Sequence, residues 1–303
     1  MSAAPPIDHP LPAEAARALR ERYRAAGHHP RKQLGQHFLA DLNLARKIVD
    51  AVGEPGPLVL EIGAGLGALT FLLAERGHTV RAIEVDRQLA AALGEAMAPW
   101  PSIAVIAADI RTLRLEDLVS PGTGERLRVV GNLPYGLTSE ILIQLLRSAD
   151  ALASATLMLQ DDVAERLTAA PGGKSYGSLT VTLGLAFAIE LILRAPRQAF
   201  WPAPEVDSAV IQLVPRARPE PDLLWIERVV RAGFGQRRKT LGKALAAGLG
   251  AERAAIEAAM RASGFDPGAR AEVLSPADFV RLARALHDFR ARHDLAAGLD
   301  HGG

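Results

Sequence analysis

The chain has 303 residues, 49% of them hydrophobic, and a formal net charge of +1, so it has room for two domains or one large domain and is not basic throughout. Because it contains no cysteine and no His-x-x-x-His or comparable spacing, disulfides and thiolate catalysis are excluded and no metal site is expected. No apolar run approaches the roughly 18 residues of a membrane span and no signal-peptide pattern opens the chain, so we expect a soluble cytoplasmic protein.

The first predicted elements are helices. A short charged helix is predicted over 13–26, and another is predicted from the N-cap Asp41 to about residue 52. Strands and helices then alternate, and the predicted strands are 58–62, 79–84, 103–107, 128–130 and 155–159. This alternation predicts an α/β fold with a parallel, doubly wound, Rossmann-like sheet, in which ligands bind beyond the carboxyl ends of the strands.

The later part of the chain changes character. A helical stretch over 179–187, a proline-stiffened loop over 200–206 and an alternating strand over 208–214 lead to a linker with three prolines. After the linker the pattern is helical only, with helices at about 222–234, 237–248, 252–262 and 276–290. This pattern predicts a smaller, all-helical C-terminal domain.

A glycine-rich segment joins the first strand of the predicted sheet to its helix, with Gly63, Gly65 and Gly67 at alternate positions. Glycine allows a sharp turn and the close approach of a ligand, and the helix that follows offers unpaired N–H groups. Glu84, at the end of the second strand, is expected to accept hydrogen bonds from ribose hydroxyls. Asp109, at the end of the third, is expected to accept one from an adenine amine.

These features alone leave the cofactor open. Gly63-x-Gly65-x-x-Ala68, followed by the acidic Glu84, also fits the dinucleotide fingerprint, so both NAD and S-adenosylmethionine are consistent with it. The structural alternative is a glycine-rich turn that packs a helix on a strand.

Asn132-Leu133-Pro134-Tyr135, directly after a predicted strand, suits a site that holds the amino group of a flat base. The Asn132 side-chain oxygen and a backbone carbonyl fixed by Pro134 can each accept a hydrogen from an exocyclic amine, and the Tyr135 ring can lie on the base. A methyltransferase that acts on an amino group needs such hydrogen-bond acceptors, whereas a dehydrogenase has no evident use for them. The motif therefore favours S-adenosylmethionine, and its structural alternative is a strand end with a proline turn.

Six segments in series resemble the ribosomal RNA adenine N6-dimethyltransferase family. They are Gln33 to Leu39 (QLGQHFL), Leu60 to Gly65 (LEIGAG), Ile83 to Asp86 (IEVD), Asn132 to Tyr135 (NLPY), Phe200 to Ser208 (FWPAPEVDS) and Phe234 to Leu241 (FGQRRKTL). Two positions depart from the family pattern, His37 where Asn is common and Glu205 where Lys is common. The departures make a side-chain contact at the first position and a phosphate contact at the second less secure.

The resemblance implies S-adenosylmethionine as cofactor and small-subunit (16S) ribosomal RNA as substrate. It implies dimethylation of two adjacent adenosines near the 3′ end, within an assembling 30S particle, by an enzyme that we expect to be a monomer. The residues placed against the cofactor are His37, Leu39, Gly63, Gly65, Glu84, Asp109 and Asn132. The predicted domains are an N-terminal extension 1–30, a methyltransferase domain 31–216, a helical domain 217–290 and a disordered tail 291–303.

Methyl transfer to an adenine amine depends more on the orientation of the amine than on a strong base. The adenine amine is a poor nucleophile because its lone pair is delocalised, whereas a methyl sulfonium is a strong electrophile. Asn132 and the Pro134 carbonyl are predicted to direct that lone pair at the methyl group. Tyr135 and Phe200 are predicted to sandwich the flipped base, because stacking contributes about 1–3 kcal/mol per base. For Phe200 the alternative is a core aromatic beside a proline loop.

A basic cluster is predicted to grip RNA phosphates at the start of a C-terminal helix, and its members are Arg237, Arg238, Lys239 and Lys243. Its alternative is a solvated helix face. The N-terminal basic residues Arg17, Arg20, Arg22, Arg24, Arg31 and Lys32 can add to it, although charged tails are usually only solvated. Rival functions are methylation of DNA adenine or a protein amide, non-catalytic RNA binding on the same fold and, least favoured, an NAD dehydrogenase.

Overall fold

The computed structural model describes residues 12–27, 29–31, 34–118, 125–216, 223–236 and 238–292. These residues fall in two compact units, one within Met1–Ala164 and Ala188–Pro215 and the other within Glu165–Phe187 and Arg216–Gly303. In the described part of the chain, no helix is both long and apolar enough to cross a membrane.

The structure contains nine strands and eleven α-helices among the described residues. The strands are β1 (Phe38–Leu39), β2 (Val59–Ile62), β3 (Val80–Glu84), β4 (Ile103–Ala107), β5 (Leu127–Asn132), β6 (Leu152–Gln160), β7 (Phe187–Ala195), β8 (Phe200–Trp201) and β9 (Ser208–Pro215). The helices are α1 (Pro12–Ala25), α2 (Leu42–Val52), α3 (Ala68–Glu75), α4 (Arg87–Met97), α5 (Thr138–Arg147), α6 (Asp161–Leu167), α7 (Ser178–Ala186), α8 (Leu223–Phe234), α9 (Leu241–Leu249), α10 (Arg253–Ala262) and α11 (Pro276–Arg292).

Seven strands form one sheet in the order β4-β3-β2-β5-β6-β9-β7. The strands from β2 to β6 pair in parallel, and β9 runs antiparallel to β6. The predicted doubly wound α/β fold is therefore confirmed, together with its five parallel strands. Parallel strands have their carboxyl ends at the same edge of a sheet. Ile62, Glu84 and Asn132, which end β2, β3 and β5, therefore come together at that edge.

The helix boundaries have local causes that the sequence shows. Asp41 caps α2, as predicted, because its carboxylate accepts the backbone N–H groups of Asn43 and Leu44. Asp86 caps α4 in the same way through Gln88. Both helices bury one apolar face against the sheet core, to which Ile48 and Leu93 contribute fully buried side chains.

Two strand pairings escape the sequence analysis. No element is predicted over 188–199, yet β7 occupies most of that range at the edge of the sheet. Its burial is irregular, with Leu191 and Ile192 partly exposed, so the alternation that reveals a half-buried strand is missing. The short β1 pairs with β8, about 160 residues away, and local patterning carries no sign of so distant a partner.

The second unit is helical, with a core of side chains from α7 to α11 such as Val181, Ile226 and Phe279. The segment 165–187 belongs to this unit, although the sequence analysis assigns it to the methyltransferase domain. It packs there because Tyr176 is buried among the helices and donates its hydroxyl hydrogen to the Leu274 carbonyl, 2.8 Å away. From residue 293 onwards the predicted tail lies outside the described residues, as does most of the predicted linker.

Candidate active site

A pocket lies at the carboxyl ends of β2, β3 and β5. It is bordered by β1 and the turn before it, by the glycine-rich loop and by the Asn132 motif. The predicted site residues that line it are His37, Leu39, Gly63, Gly65, Glu84, Asn132, Pro134 and Tyr135. Sequence positions nearly 100 residues apart therefore meet at one edge of the sheet.

The glycine-rich loop is tied to the end of β3. The backbone N–H groups of Gly63 and Ala64 donate to the Ile83 carbonyl at 2.9 and 3.2 Å. The N–H of Gly65 donates to the Glu84 carboxylate at 2.8 Å. Gly65 has a φ of +54°, and a Cβ there would lie 2.9 Å from the Phe38 ring, so glycine is required by both backbone conformation and space.

Two buried carboxyl groups border the pocket. The Glu84 oxygens accept backbone N–H groups from Gly65 and Asp86, yet burial raises the pKa of Glu84 despite these hydrogen bonds. Burial likewise raises the pKa of Glu61 to about 8, while a 2.7 Å hydrogen bond from the Thr70 hydroxyl opposes the shift. Ionisation of either carboxyl group therefore costs free energy unless a bound ligand supplies compensating positive charge.

Glu61→Gln is expected to gain stability relative to the native chain as pH rises. Because the folded-state pKa of Glu61 is about 8 against an ordinary value of 4.5, its contribution to stability is complete below pH 4.5 and is lost as pH rises through 8. Glutamine cannot ionise and escapes this loss. Urea unfolding at about pH 5, 7 and 8.5 measures the difference in unfolding free energy.

The matched control is Glu75→Gln, which removes the same charge from an exposed position on α3. Its difference from the native chain is expected to stay flat over the same range. Parallel pH curves for the two variants would show that burial of Glu61 does not govern its protonation.

Asn132 is held in one orientation by the backbone of His37, the residue that precedes β1. Its side-chain Nδ2 donates to the His37 carbonyl at 2.7 Å. This contact uses the amide nitrogen and leaves Oδ1 as the group that can accept a hydrogen bond in the pocket. The half-buried Asn132 thus presents a fixed acceptor at the end of β5.

Tyr135 has contacts at both its hydroxyl and its ring. Its hydroxyl forms a 2.9 Å hydrogen bond with the hydroxyl of Ser208, which is fully buried at the start of β9. Its ring stacks on the His37 ring, with centroids 5.6 Å apart and planes 25° apart. The His37 ring in turn donates from Nδ1 to the Pro202 carbonyl at 2.8 Å. His37 therefore covers one face of Tyr135.

The backbone of the motif corrects one expectation. The Pro134 carbonyl, predicted to accept the target amine, already accepts the N–H of Leu137 at 2.9 Å and the hydroxyl of Thr138 at 3.4 Å. Both of its lone pairs are thus engaged within the turn. The Leu133 carbonyl, also on the pocket wall, accepts no hydrogen bond from the described residues.

Comparison with known proteins identifies the family. The model of the family "Ribosomal RNA adenine dimethylase" matches residues 27–288. The chain belongs to this family. Ribosomal RNA small subunit methyltransferase A of Moorella thermoacetica is 46% identical over 268 residues, which cover 85% of this chain and 92% of that protein. The Xanthomonas campestris pv. campestris (strain B100) protein of the same name is 44% identical over 257 residues, with 84% and 95% covered.

Solved structures agree with this assignment. The crystal structure of the 23S rRNA methyltransferase ErmE is 31% identical, with a TM-score of 0.64 and coverage of 82% of this chain and 99% of that one. A dimethyladenosine transferase from Plasmodium falciparum has a TM-score of 0.72 at 22% identity, with 84% and 98% covered, and shows the shared fold. The chain is therefore a methyltransferase of the rRNA adenine dimethylase family in both sequence and fold.

One residue predicted to contact the cofactor of this dimethylase is engaged by a neighbouring arginine. Asp109 does not line the pocket in this structure, and its carboxylate is held by the Arg111 guanidinium at 2.6 Å. It also caps the short helical turn Ile110–Thr112 through the Arg111 backbone N–H. Hydrogen bonding to Arg111 keeps the pKa of Asp109 below its usual value. The sequence analysis overlooked this competing partner, only two residues away.

Phe200 is also not at the pocket. It is 4% exposed on β8, pairs with Leu39 across the two-stranded sheet and belongs to the main hydrophobic core. The alternative reading, a core aromatic beside a proline loop, describes this position. The predicted sandwich with Tyr135 is therefore not present in this structure, where His37 holds the stacking position instead.

The predicted basic cluster lies on the helical unit. Arg238, Lys239 and Lys243 are exposed, and Arg237 lies outside the described residues. The helix α9 begins at Leu241 rather than near 237, so Lys239 precedes it and does not share a helical face with Lys243 as predicted. Thr240 occupies the N-cap position in an extended backbone conformation, without a capping hydrogen bond from its side chain.

Several residues of the site are missing from the sequence prediction. Gln36 lines the pocket and donates to the Asp86 carboxylate at 3.3 Å, which links the segment before β1 to the end of β3. Glu61 and Val85 line the pocket as well. Glu61 carried a detectable signal, because a carboxylate inside an otherwise apolar strand is expensive to bury without a function.

Proposed function

We propose that this chain transfers methyl groups from S-adenosylmethionine to the N6 amine of adenosines in small-subunit ribosomal RNA. The observation that carries the proposal is the orientation of Asn132, whose amide nitrogen is held by the His37 carbonyl so that its oxygen remains to accept an amine hydrogen. The names of the relatives support ribosomal RNA as the substrate, and the family name supports two methyl groups per adenine.

The pocket residues suit the cofactor. Gly63 and Gly65 allow close approach of a ligand to the loop, and Glu84 retains one lone pair on each oxygen for ribose hydroxyls after accepting its two backbone N–H groups. The buried Glu61, in the same pocket, would compensate positive charge at the methionine end. S-adenosylmethionine supplies the methyl group as an electrophilic sulfonium.

The target amine needs two acceptors to bring its lone pair out of conjugation with the ring. Asn132 Oδ1 is the first. We propose the Leu133 carbonyl as the second, in place of Pro134, because the Pro134 carbonyl is occupied by Leu137 and Thr138. The amine proton then leaves to water, and no side chain is required as a strong base.

The base itself is held by Tyr135. The Ser208 hydrogen bond fixes the ring plane, and stacking of a flipped adenine on it contributes about 1–3 kcal/mol toward the cost of base extrusion. A base that stacks on the face covered by His37 must displace the His37 ring. His37 is partly exposed, so its side chain has solvent to move into.

Substrate docking extends beyond the pocket. The exposed Arg238, Lys239 and Lys243, with Arg237 beside them in sequence, offer cations for RNA phosphates, which position a substrate without reading its sequence. We propose that they contact rRNA in an assembling small subunit and that the enzyme acts as a monomer. The name "small subunit methyltransferase" of the relatives supports that choice of subunit.

The deciding experiment offers labelled S-adenosylmethionine and unmethylated small-subunit ribosomal RNA to the purified chain. Nuclease digestion and mass spectrometry are expected to find N6-dimethyladenosine. Adenine-containing DNA and a glutamine-rich peptide serve as rival substrates in parallel. Label in the DNA or peptide but not in the RNA would overturn the proposal, and so would an RNA product methylated on any atom other than adenine N6.

A further inference from the structure

A second groove adjoins the pocket and has no assigned role. It has a volume of about 300 Å³ and lies between α1 and β1. Phe38, Leu39, Leu66 and Ala68 line both the groove and the pocket. The groove therefore shares a wall with the proposed active site, so a strand bound in the groove lies beside the pocket.

One face of α1 brings arginines to this groove. Arg17, Arg20 and Arg24 are spaced by three and four residues, which places them on the same side of a helix. Arg17 and Arg20 line the groove directly, as does Glu14. Arg24 lies over the ring of Trp201, which lines it too, with its guanidinium carbon 5.5 Å from the ring centroid.

The structure separates the N-terminal arginines into paired and unpaired groups. Arg17 binds Glu21 at 3.0 Å, Arg22 binds Glu95 at 3.3 Å and Arg31 contacts Asp86 at 3.5 Å. These three pairs follow from the helix and its neighbours and need no ligand. Arg20 and Arg24, by contrast, have no carboxylate within ion-pair distance among the described residues.

Trp201 gives Arg24 a fixed platform. Its ring stacks with Phe38 at 6.0 Å between centroids, and Phe38 is buried at the boundary with the pocket. A guanidinium that lies on an aromatic ring keeps its N–H donors at the rim, where they fit phosphate oxygens. The groove thus offers two arginines that form no ion pair with the described residues, one of them fixed on an aromatic ring, and this suits the phosphates of a nucleic acid strand.

We infer that this groove, formed by Arg20, Arg24 and Trp201, binds the phosphates of the single-stranded RNA segment next to the target adenosine. The inference rests on the proposed function, because it takes the substrate to be RNA. Arg20 and Arg24 each bind one phosphate, and the groove holds the strand in line with Tyr135. The contacts supply affinity and position, and they leave the chemistry at Asn132 unchanged.

The test compares Arg24→Gln with Arg22→Gln, two residues apart on one helix, and adds the double variant Arg20→Gln/Arg24→Gln. The probe is a single-stranded oligoadenylate of about 12 nucleotides, titrated over a range of salt. Each lost phosphate contact flattens the slope of log K against log salt by about 0.7 for a single strand. We expect a decrease of about 0.7 for Arg24→Gln and about 1.4 for the double variant, with binding weakened roughly tenfold in the latter. Arg22→Gln is expected to keep the native slope.

Several outcomes decide the matter. A native slope for Arg24→Gln, or the same loss for Arg22→Gln, overturns the inference. Binding of polyglutamate with the same dependence on Arg20 and Arg24 would assign the groove to an acidic protein and overturn the inference as well.

Thermal unfolding and S-adenosylhomocysteine affinity check that the variants fold. If the double variant does not fold, the single variant Arg24→Gln, at an exposed position, decides alone. If the native chain methylates rRNA while these slopes are unchanged, only the groove inference fails, whereas absent methylation refutes the proposed function itself.

Discussion

Asn132→Ala is expected to lower the turnover of methyl transfer by roughly 10² to 10³-fold, about 3–4 kcal/mol in the activation barrier. The alanine removes the fixed acceptor that orients the target amine, and the loss falls on the transition state because orientation matters most there. The folded state loses one hydrogen bond to the His37 carbonyl, worth about 1 kcal/mol. Single-turnover kinetics with saturating cofactor and RNA measure the effect.

The control for Asn132 is Asn43→Ala on α2, where an exposed amide oxygen accepts from Arg46 and takes no part in the pocket. Its turnover is expected to equal that of the native chain. A second variant, Asn132→Asp, keeps an acceptor but loses the donor to His37, so it should retain more activity than the alanine. Turnover within twofold of native for Asn132→Ala would remove this residue from the chemistry.

Gly131→Ala is expected to destabilise the fold by about 1–3 kcal/mol, the range of an overpacked core position. A Cβ on Gly131 would lie 2.6 Å from the carbonyl oxygen of Ile62, its neighbour on β2, and 3.2 Å from the Cβ of Ile62. Relief requires β5 to move away from β2, which breaks the parallel register and displaces the adjacent Asn132. The urea midpoint should therefore fall, and turnover should fall with it.

Gly56→Ala is the matched control, because a Cβ there would contact nothing within 4 Å and the residue has no left-handed backbone conformation. Its unfolding free energy is expected to stay within about 0.5 kcal/mol of native. Equal midpoints for Gly131→Ala and Gly56→Ala would mean that the two strands can separate freely at this point.

Both experiments probe the junction of β2 and β5, where stability and chemistry depend on the same few atoms. The close approach of the strands at Gly131 sets the position of Asn132, and the His37 carbonyl then sets its orientation. Removing space at the first residue and removing the acceptor at the second should therefore both lower turnover. They differ in that Gly131→Ala alone should lower the urea midpoint substantially.

The sequence alone determined the features that depend on neighbouring residues. Apolar runs marked the five parallel strands, Asp41 marked the start of α2, and the glycines after Glu61 marked a ligand-binding turn. These signals are local because hydrophobic periodicity, capping and backbone freedom act within a few residues. The known rules of parallel sheets then brought the strand ends, with Glu84 and Asn132, to one edge.

Only the tertiary structure decided which partner each polar or aromatic side chain takes. Asp109 pairs with Arg111, and Phe200 is buried against β1 while His37 stacks on Tyr135. The segment 165–187 packs with the helices, and β7 joins the sheet edge. Such choices are competitions among groups far apart in the chain, settled by distances and burial that no local pattern contains.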